Sequence, residues 1–372
     1  MSDQAICDKL RGLDPGLSAA LVADSAARIC PARWPTLGAR SQAWVPGLRT
    51  RVLDGNLLSS TQRRVRELRS AWAAGLPGRV LAVYEPESDL VTRVILTPDA
   101  HASERSLFDG VLAGVAADDL WIADRNFCTR KFLFGLAARK ARFAIRQHGS
   151  LAGQPVGKRL ALGRTATGEV FEQRLDLVFE GRALRLRRVT PVLAGPTRDG
   201  DTEIHVLTNP TRRQARAARV AELYRKRWTI EGRFCEVAQT MTGEPNTLGY
   251  PSAALFAFCL ALVASNAVAL QRAAHGADAV AEMSRHHMAT EVRQTCAGMM
   301  VALPPERWAV FRELSVEELA AMLRELAGRI RPGDCQKAPR GPKKPATRKT
   351  AYKNGGHVAT HRLLQQRQTA SK

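Results

Sequence analysis

The feature that most limits how this chain folds lies between Arg49 and Gln147, where short aliphatic and β-branched runs alternate with segments of helical period. TRVLD (50–54) and LWIAD (120–124) read as buried strands, and each ends on an aspartate. RVLAVYE and LVTRVILT, separated by PESD, read as an antiparallel hairpin. Leu107, Phe108, Val111, Leu112 and Val115 fall at helical spacing, and TRKFLFGLAARK reads as a second helix before the strand ARFAIRQ. The Arg-rich STQRRVRELRSAWAAG is expected to be a further helix after the first strand. Strands alternating with helices and one hairpin predict an α/β core with mixed sheet direction. In such sheets functional groups collect at the carboxyl ends of strands, which singles out Asp54 and Asp124.

The remaining texture divides the chain. Residues 1–45 read as a short helical leader and 46–147 as the first part of the core. Residues 148–208 are Gly-rich with alternating runs such as RLDLVFE and RALRLRRV, a β-rich insertion with a basic exterior on which Arg185 and Arg187 face solvent. Residues 209–275 return to the core and 276–335 are helical, including SVEELAAMLRELAGRI with Ser315 and Glu318 as a capping box. Residues 251–270 are nearly long enough to span a bilayer, but their Ala content, Ser265 and Asn266 favour a buried core helix.

The formal net charge of +21 points to a polyanionic partner, nucleic acid first and an anionic membrane second. The last 37 residues, 336–372, hold ten Lys or Arg and no acid, and read as a disordered basic tail. Without them the body still carries a surplus of 11. Seven cysteines without a C-x-x-C pair indicate neither a zinc site nor a disulfide framework, and with no secretory signal pattern at the start a cytoplasmic protein is expected. The adjacent His286 and His287 would diverge by about 100° on a helix and suit a surface better than a metal.

LYRKRWTIEGRF (223–234) adds a third acid. On one helical wheel Tyr224, Trp228, Glu231, Cys235 and Ala238 share a mostly apolar face with Arg227 at its edge, while Arg233 and Glu236 fall on the other side. Arg227 and Glu231 at i,i+4 make an ordinary ion pair, and both aspartates are good turn openers. Taken together, however, three carboxylates on such a core suit magnesium or manganese, and two such ions can drive an in-line phosphoryl displacement.

RVLDGN, WIADRNF and LYRKRWTIEGRF resemble the three acidic motifs of the DDE transposases of bacterial insertion sequences, in the group with a Tyr-x2-Arg-x3-Glu-x6-Lys helix. LGYPSAALFAFCLALVASN resembles the segment that follows, and the likeness spans roughly 46–275. The resemblance implies a ribonuclease-H-like core interrupted by a β insertion between the second Asp and the Glu, with C-terminal helices. It implies that Asp54, Asp124 and Glu231 are catalytic and hold two Mg2+ (or Mn2+) ions, and that Tyr224 and Arg227 contact DNA phosphates. It further implies double-stranded DNA as partner, a homodimer in the active complex, no membrane role, and DNA cleavage at element ends followed by strand transfer. Where the group has its Lys, this chain has Ala238 with Gln239 beside it. That departure leaves open an alternative, a catalytically inactive DNA-binding relic.

Overall fold

The computed structural model describes residues 2–31, 37, 43–59, 65, 75–197, 200–245, 248–337 and 358–370. The chain starts with α1 (Asp3–Arg11) and α2 (Pro15–Pro31), then runs through β1 (Arg49–Leu57), β2 (Gly75–Leu76), β3 (Arg79–Glu85) and β4 (Leu90–Thr97). Next come α3 (Phe108–Leu112), β5 (Asp119–Ala123), α4 (Arg130–Ala138) and β6 (Arg142–Arg146). Strands β7 (Gln154–Thr165), β8 (Gly168–Phe179), β9 (Arg182–Pro191) and β10 (Val206–Thr208) lead into α5 (Ala217–Arg225) and α6 (Thr229–Cys235). Helices α7 (Pro251–Ala273), α8 (Ala277–Glu282), α9 (Arg285–Ala302) and α10 (Val316–Arg329) follow, and β11 (Val358–Ala359) and α11 (Thr360–Ala370) come last.

One nine-stranded sheet has the order β4-β3-β1-β5-β6-β10-β9-β8-β7. The pairs β1–β5 and β5–β6 are parallel, and all other neighbours in this sheet are antiparallel. The expected α/β class with mixed strand direction is therefore observed. The β-rich segment does not form a sheet of its own: β10 pairs with both β6 and β9, so β7–β9 prolong the central sheet.

Strand side chains alternate between faces, and here both faces are buried. Val52, Leu120 and Ile122 pack with α5, α6 and α7 through Val220, Ile230, Phe234 and Phe258. Leu53, Trp121, Ala123 and Phe143 face the opposite side with Phe108, Phe132 and Leu136 of α3 and α4. The 23-residue α7 is long and apolar enough to cross a membrane, but most of it is buried within the chain. Its Asn266 is satisfied internally: the side-chain amide donates to the Val91 carbonyl at 2.9 Å and accepts from the Val91 N–H at 2.9 Å.

The helix expected over 60–75 lies outside the described residues except for Val65 and Gly75, the latter in β2. Within the helical leader expected over 1–45, α2 buries Ser18, Val22 and Ala26 and packs on α7 and β4. Two expectations change. Arg187 does not face solvent: it donates to Glu172 at 2.6 Å and to the Pro210 and Ala215 carbonyls, a cation held where its stem lies on the sheet. The disordered tail is corrected for residues 358–370, where β11 pairs in parallel with β2, Ala359 and Thr360 are buried, and Arg362 forms a bidentate pair with Asp99. A few apolar contacts and one fork of hydrogen bonds order these residues, which composition alone had assigned to a solvated arm.

Candidate active site

Register brings the two aspartates together. Leu53 of β1 pairs with Ala123 of β5, so Asp54 and Asp124 occupy the next positions on adjacent parallel strands, which run about 4.8 Å apart. Each follows a residue turned toward α3 and α4, so alternation directs both carboxylates to the side of the sheet that carries α5 and α6. Asp54 accepts from the Gly55 N–H at 2.9 Å, and Asp124 caps a 3-10 turn by accepting from the Asn126 N–H at 2.8 Å. Asp124 thus does open a turn at the end of β5, whereas Asp54, expected to end its strand, lies inside β1, which continues to Leu57 and pairs Asp54 with Ala82 of β3. A Cβ at Gly55 would lie 2.3 Å from the Glu104 carboxylate, which Arg79 holds, so any other residue there displaces that side chain.

Glu231 reaches the aspartates through an arginine. Arg227 donates to Asp54 at 2.7 Å and to Glu231 at 2.7 Å, bridging strand β1 to the first turn of α6. The Arg227 side chain is 9% exposed, Asp54 15% and Glu231 41%, so the pair opens to solvent on the glutamate side. Tyr224 is buried beside Arg227, and burial pushes its hydroxyl up in pKa, countered by Arg227. The i,i+4 pair expected as the ordinary reading of this helix is real, and Asp54 makes it a triad.

Burial dominates the electrostatics of Asp54, whose carboxyl is pushed up to about 6. Arg227 and the Gly55 N–H act in the opposite sense, while the Asp124 and Glu231 charges reinforce the rise. The Asp124 and Glu231 carboxylates are thus near enough to act on Asp54, though less than burial and Arg227 do. Among the described residues, no three His, Cys, Asp or Glu side chains are grouped closely enough to hold a metal ion. Arg227 stands between two of the acids. The donor set fits hard divalent cations in type, because all three acids are oxygen donors.

The helical wheel drawn from sequence needs correction. The chain passes from α5 through a 3-10 turn at Lys226–Trp228 into α6 and then a π turn at Glu236–Thr240, so no single period holds. Its apolar ridge is Ile230, Phe234 and Val237, whereas Trp228 is 65% exposed and Cys235 is also exposed. Arg233 and Glu236, assigned to the far side, are buried. Arg233 donates to Ser265 at 3.0 Å and to the Asp89 carbonyl, while Ser265 donates to Glu236 at 2.7 Å. Arg272 and Arg285 also bind Asp89, and Tyr84 donates to it at 2.6 Å. This network pins α6 to the β3–β4 turn and to α7. Sequence offered no signal for it except that Asp89 sits in a turn, where it takes a left-handed φ of 56°. His286 binds the Thr240 hydroxyl at 2.7 Å, which gives that histidine a structural partner.

Two acids just past the parallel pairing of β1 and β5, one of them bridged by Arg227 to a glutamate from a helix on the same side, define a candidate phosphoryl-transfer site in an α/β protein. Residues 49–267 match the transposase DDE domain family, and the chain belongs to that family. Among solved structures, a piggyBac transposase in a synaptic complex with hairpin DNA is similar with a TM-score of 0.38 and 11% identity, over 81% of this chain and 60% of that chain. No curated protein is a significant match.

Proposed function

We propose that this transposase cleaves DNA at element ends in a divalent-metal-dependent reaction and joins the freed 3′ hydroxyl to target DNA, using Asp54, Asp124 and Glu231. The observation that carries the proposal is the register that sets Asp54 and Asp124 side by side, with Glu231 tied to Asp54 through one guanidinium. We read the segment β4-β3-β1-β5-β6, with β3 antiparallel and β5 and β6 parallel to β1, as a ribonuclease-H-like core that β7–β10 interrupt.

Asp54, Asp124 and Glu231 would hold two Mg2+ or Mn2+ ions, which when bound stabilise the attacking and leaving oxygens of an in-line displacement. The protein's own groups do the rest. The three carboxylates draw cations in, and the solvent-open side of Glu231 gives them a route. Arg227 neutralises the acids in the absence of DNA; a phosphate at the site competes for its planar fork and leaves the acids free. Tyr224, buried behind Arg227, limits the angles the guanidinium can take. Double-stranded DNA is the proposed substrate, and cutting two ends calls for two copies in the reacting complex.

Asp124→Asn keeps the capping oxygen but removes the charge. In a nicking assay on DNA bearing the element's terminal repeats, with Mg2+, we expect at least a hundredfold loss of cleavage while DNA binding is retained. Equal cleavage by wild type and variant would remove Asp124 from the site. Ala238, where the group has Lys, favours one second reading: a non-catalytic DNA-binding protein, for which wild type would bind DNA without metal-dependent nicking.

A further inference from the structure

The parallel strands β5 and β6 pair as far as Ala123 and Ile145, so the segments that follow them, 124–131 and 147–151, leave the sheet at one end, the end that carries Asp124. Between them lies a cavity of about 310 Å³ whose lining includes Arg105, Cys128, Thr129, Arg130, Lys131 and Ser150, and no Asp or Glu among the described residues. Lys131 is paired with Asp109 at 2.8 Å. Arg105 and Arg130 have only carbonyl partners: the first donates to Asn126 at 3.3 Å and the second to Ala152 at 3.0 Å. The acid beside Arg105 in sequence, Glu104, is held by Arg79 at 2.8 Å. A carbonyl takes one of a guanidinium's N–H donors and leaves its charge in place. Burial pushes the Cys128 thiol up to about 11, against the His148 N–H and Arg105, so at neutral pH it adds no negative charge.

Hydrogen bonds join this cavity to the candidate active site. Arg105 holds the Asn126 carbonyl, and the Asn126 N–H caps Asp124 at 2.8 Å. Asn126 is two residues from Asp124, a reach of at most about 7 Å, or roughly two base pairs at ~3.4 Å of duplex axis each. Arg105 is exposed, and so is Arg125, which directly follows Asp124. The acid near enough to feel Arg125, Asp201, is paired with Arg146 at 2.8 Å. The Thr129 hydroxyl accepts from the Phe132 N–H at 3.3 Å and keeps its own proton for an acceptor in the cavity.

We propose that Arg105 and Arg130 hold a backbone phosphate of the DNA in this cavity, about two or three nucleotides from the phosphate at Asp124; the assignment rests on the DNA-cleaving reading above. Planar forks at a cavity without acids suit an oxyanion. The short bond path to Asp124 sets that anion within reach of the strand being cut, so it belongs to the same duplex. Arg227 and Tyr224 stand on the α5–α6 side of the sheet and this cavity on the α3–α4 side. The two contacts straddle the acids and fix the angle at which the strand crosses them.

The test is fluorescence anisotropy of the full chain, without divalent ions, on labelled duplexes bearing one terminal repeat, each with a single neutral methylphosphonate within about five nucleotides of the cut. Wild type is expected to lose about threefold to tenfold in affinity at one such position. The double variant Arg105→Gln, Arg130→Gln is expected to bind the unmodified duplex that much more weakly and to lose nothing further at the same position. Across 50–300 mM KCl its slope of log K against log salt falls by roughly 0.9. Arg312→Gln, in the exposed 3-10 segment before α10, keeps the wild-type pattern and gives the effect of lost charge alone. Circular dichroism checks folding, and each single variant is read in the same way should the double variant unfold. If every methylphosphonate acts alike on wild type and variants, the phosphate site is refuted while DNA binding stands. A wild type that shows no salt-sensitive binding removes the DNA-cleaving reading as well. Inorganic phosphate that stabilises wild type but not the double variant, with duplex binding equal in both, would mark a site for free anions and overturn the proposal.

Discussion

Asp54 shows how a single buried carboxylate can oppose stability. Its ordinary pKa of 3.8 rises to about 6 in the fold, so the folded chain binds the extra proton more tightly than the unfolded chain does. The destabilisation is absent below about pH 4, grows between 4 and 6, and is complete above 6, where a shift of about two units corresponds to ~2–3 kcal/mol. Asp54→Asn is therefore expected to be more stable than wild type at pH 8 by on the order of 2 kcal/mol, with the difference vanishing near pH 4. Urea denaturation of both proteins at the two pH values measures it. A variant less stable at pH 8 would mean that the Arg227 pairing outweighs burial. At this scale the sequence was informative: strand ends and an i,i+4 spacing marked Asp54, Asp124, Arg227 and Glu231. The partner of Arg227 across 173 residues was not legible, because nothing in a local pattern encodes a register between β1 and α6.

Among the elements, α7 carries the largest share of what holds the second half of the site. A helix of this hydropathy is long and apolar enough to cross a membrane, and here Ser265 and Asn266, the residues that favoured burial, bond to the elements it packs on. Asn266 satisfies both backbone groups of Val91 in β4, and Ser265 links Arg233 and Glu236. Asn266→Leu keeps the volume but leaves a buried N–H and C=O with weaker partners, so a loss of about 2–3 kcal/mol is expected in chemical denaturation. A loss under half of that would show that the ladder between β3 and β4 already satisfies Val91. The 3-10 and π turns that flank α6 explain why one helical wheel misplaced Trp228, Arg233 and Glu236: a changed rise and twist on either side rotates residues away from the 100° pattern.

For the whole molecule, the sheet is shared more widely than a list of segments implies, since β10 joins the β-rich segment to the parallel strands and β11 brings the end of the described chain to β2. The last contact is a small satellite of the core, formed by Leu76, Ala100 and Ala359 with Leu57 beside them. The Arg362–Asp99 pair lies at the surface, where solvent and salt screening leave such pairs little weight. Ala359→Asp should therefore release α11 while the midpoint of global unfolding changes little. Limited trypsin digestion followed by mass spectrometry would show earlier cleavage at Arg362 and Arg367. Unchanged digestion would place the anchoring elsewhere in 358–370.

The sequence by itself determined the class of fold, the family and the residue types of the site, because apolar period, strand-terminal aspartates and the spacing in LYRKRWTIEGRF are local and survive without a partner. Only the tertiary structure decided that Arg227 bridges two of the acids, that Arg233 and Glu236 are buried with Asp89, and that residues 358–370 dock on β2. Those outcomes depend on which distant charges meet where water is excluded. Pairing and burial energies of that kind are set by three-dimensional neighbours, which no window along the chain contains.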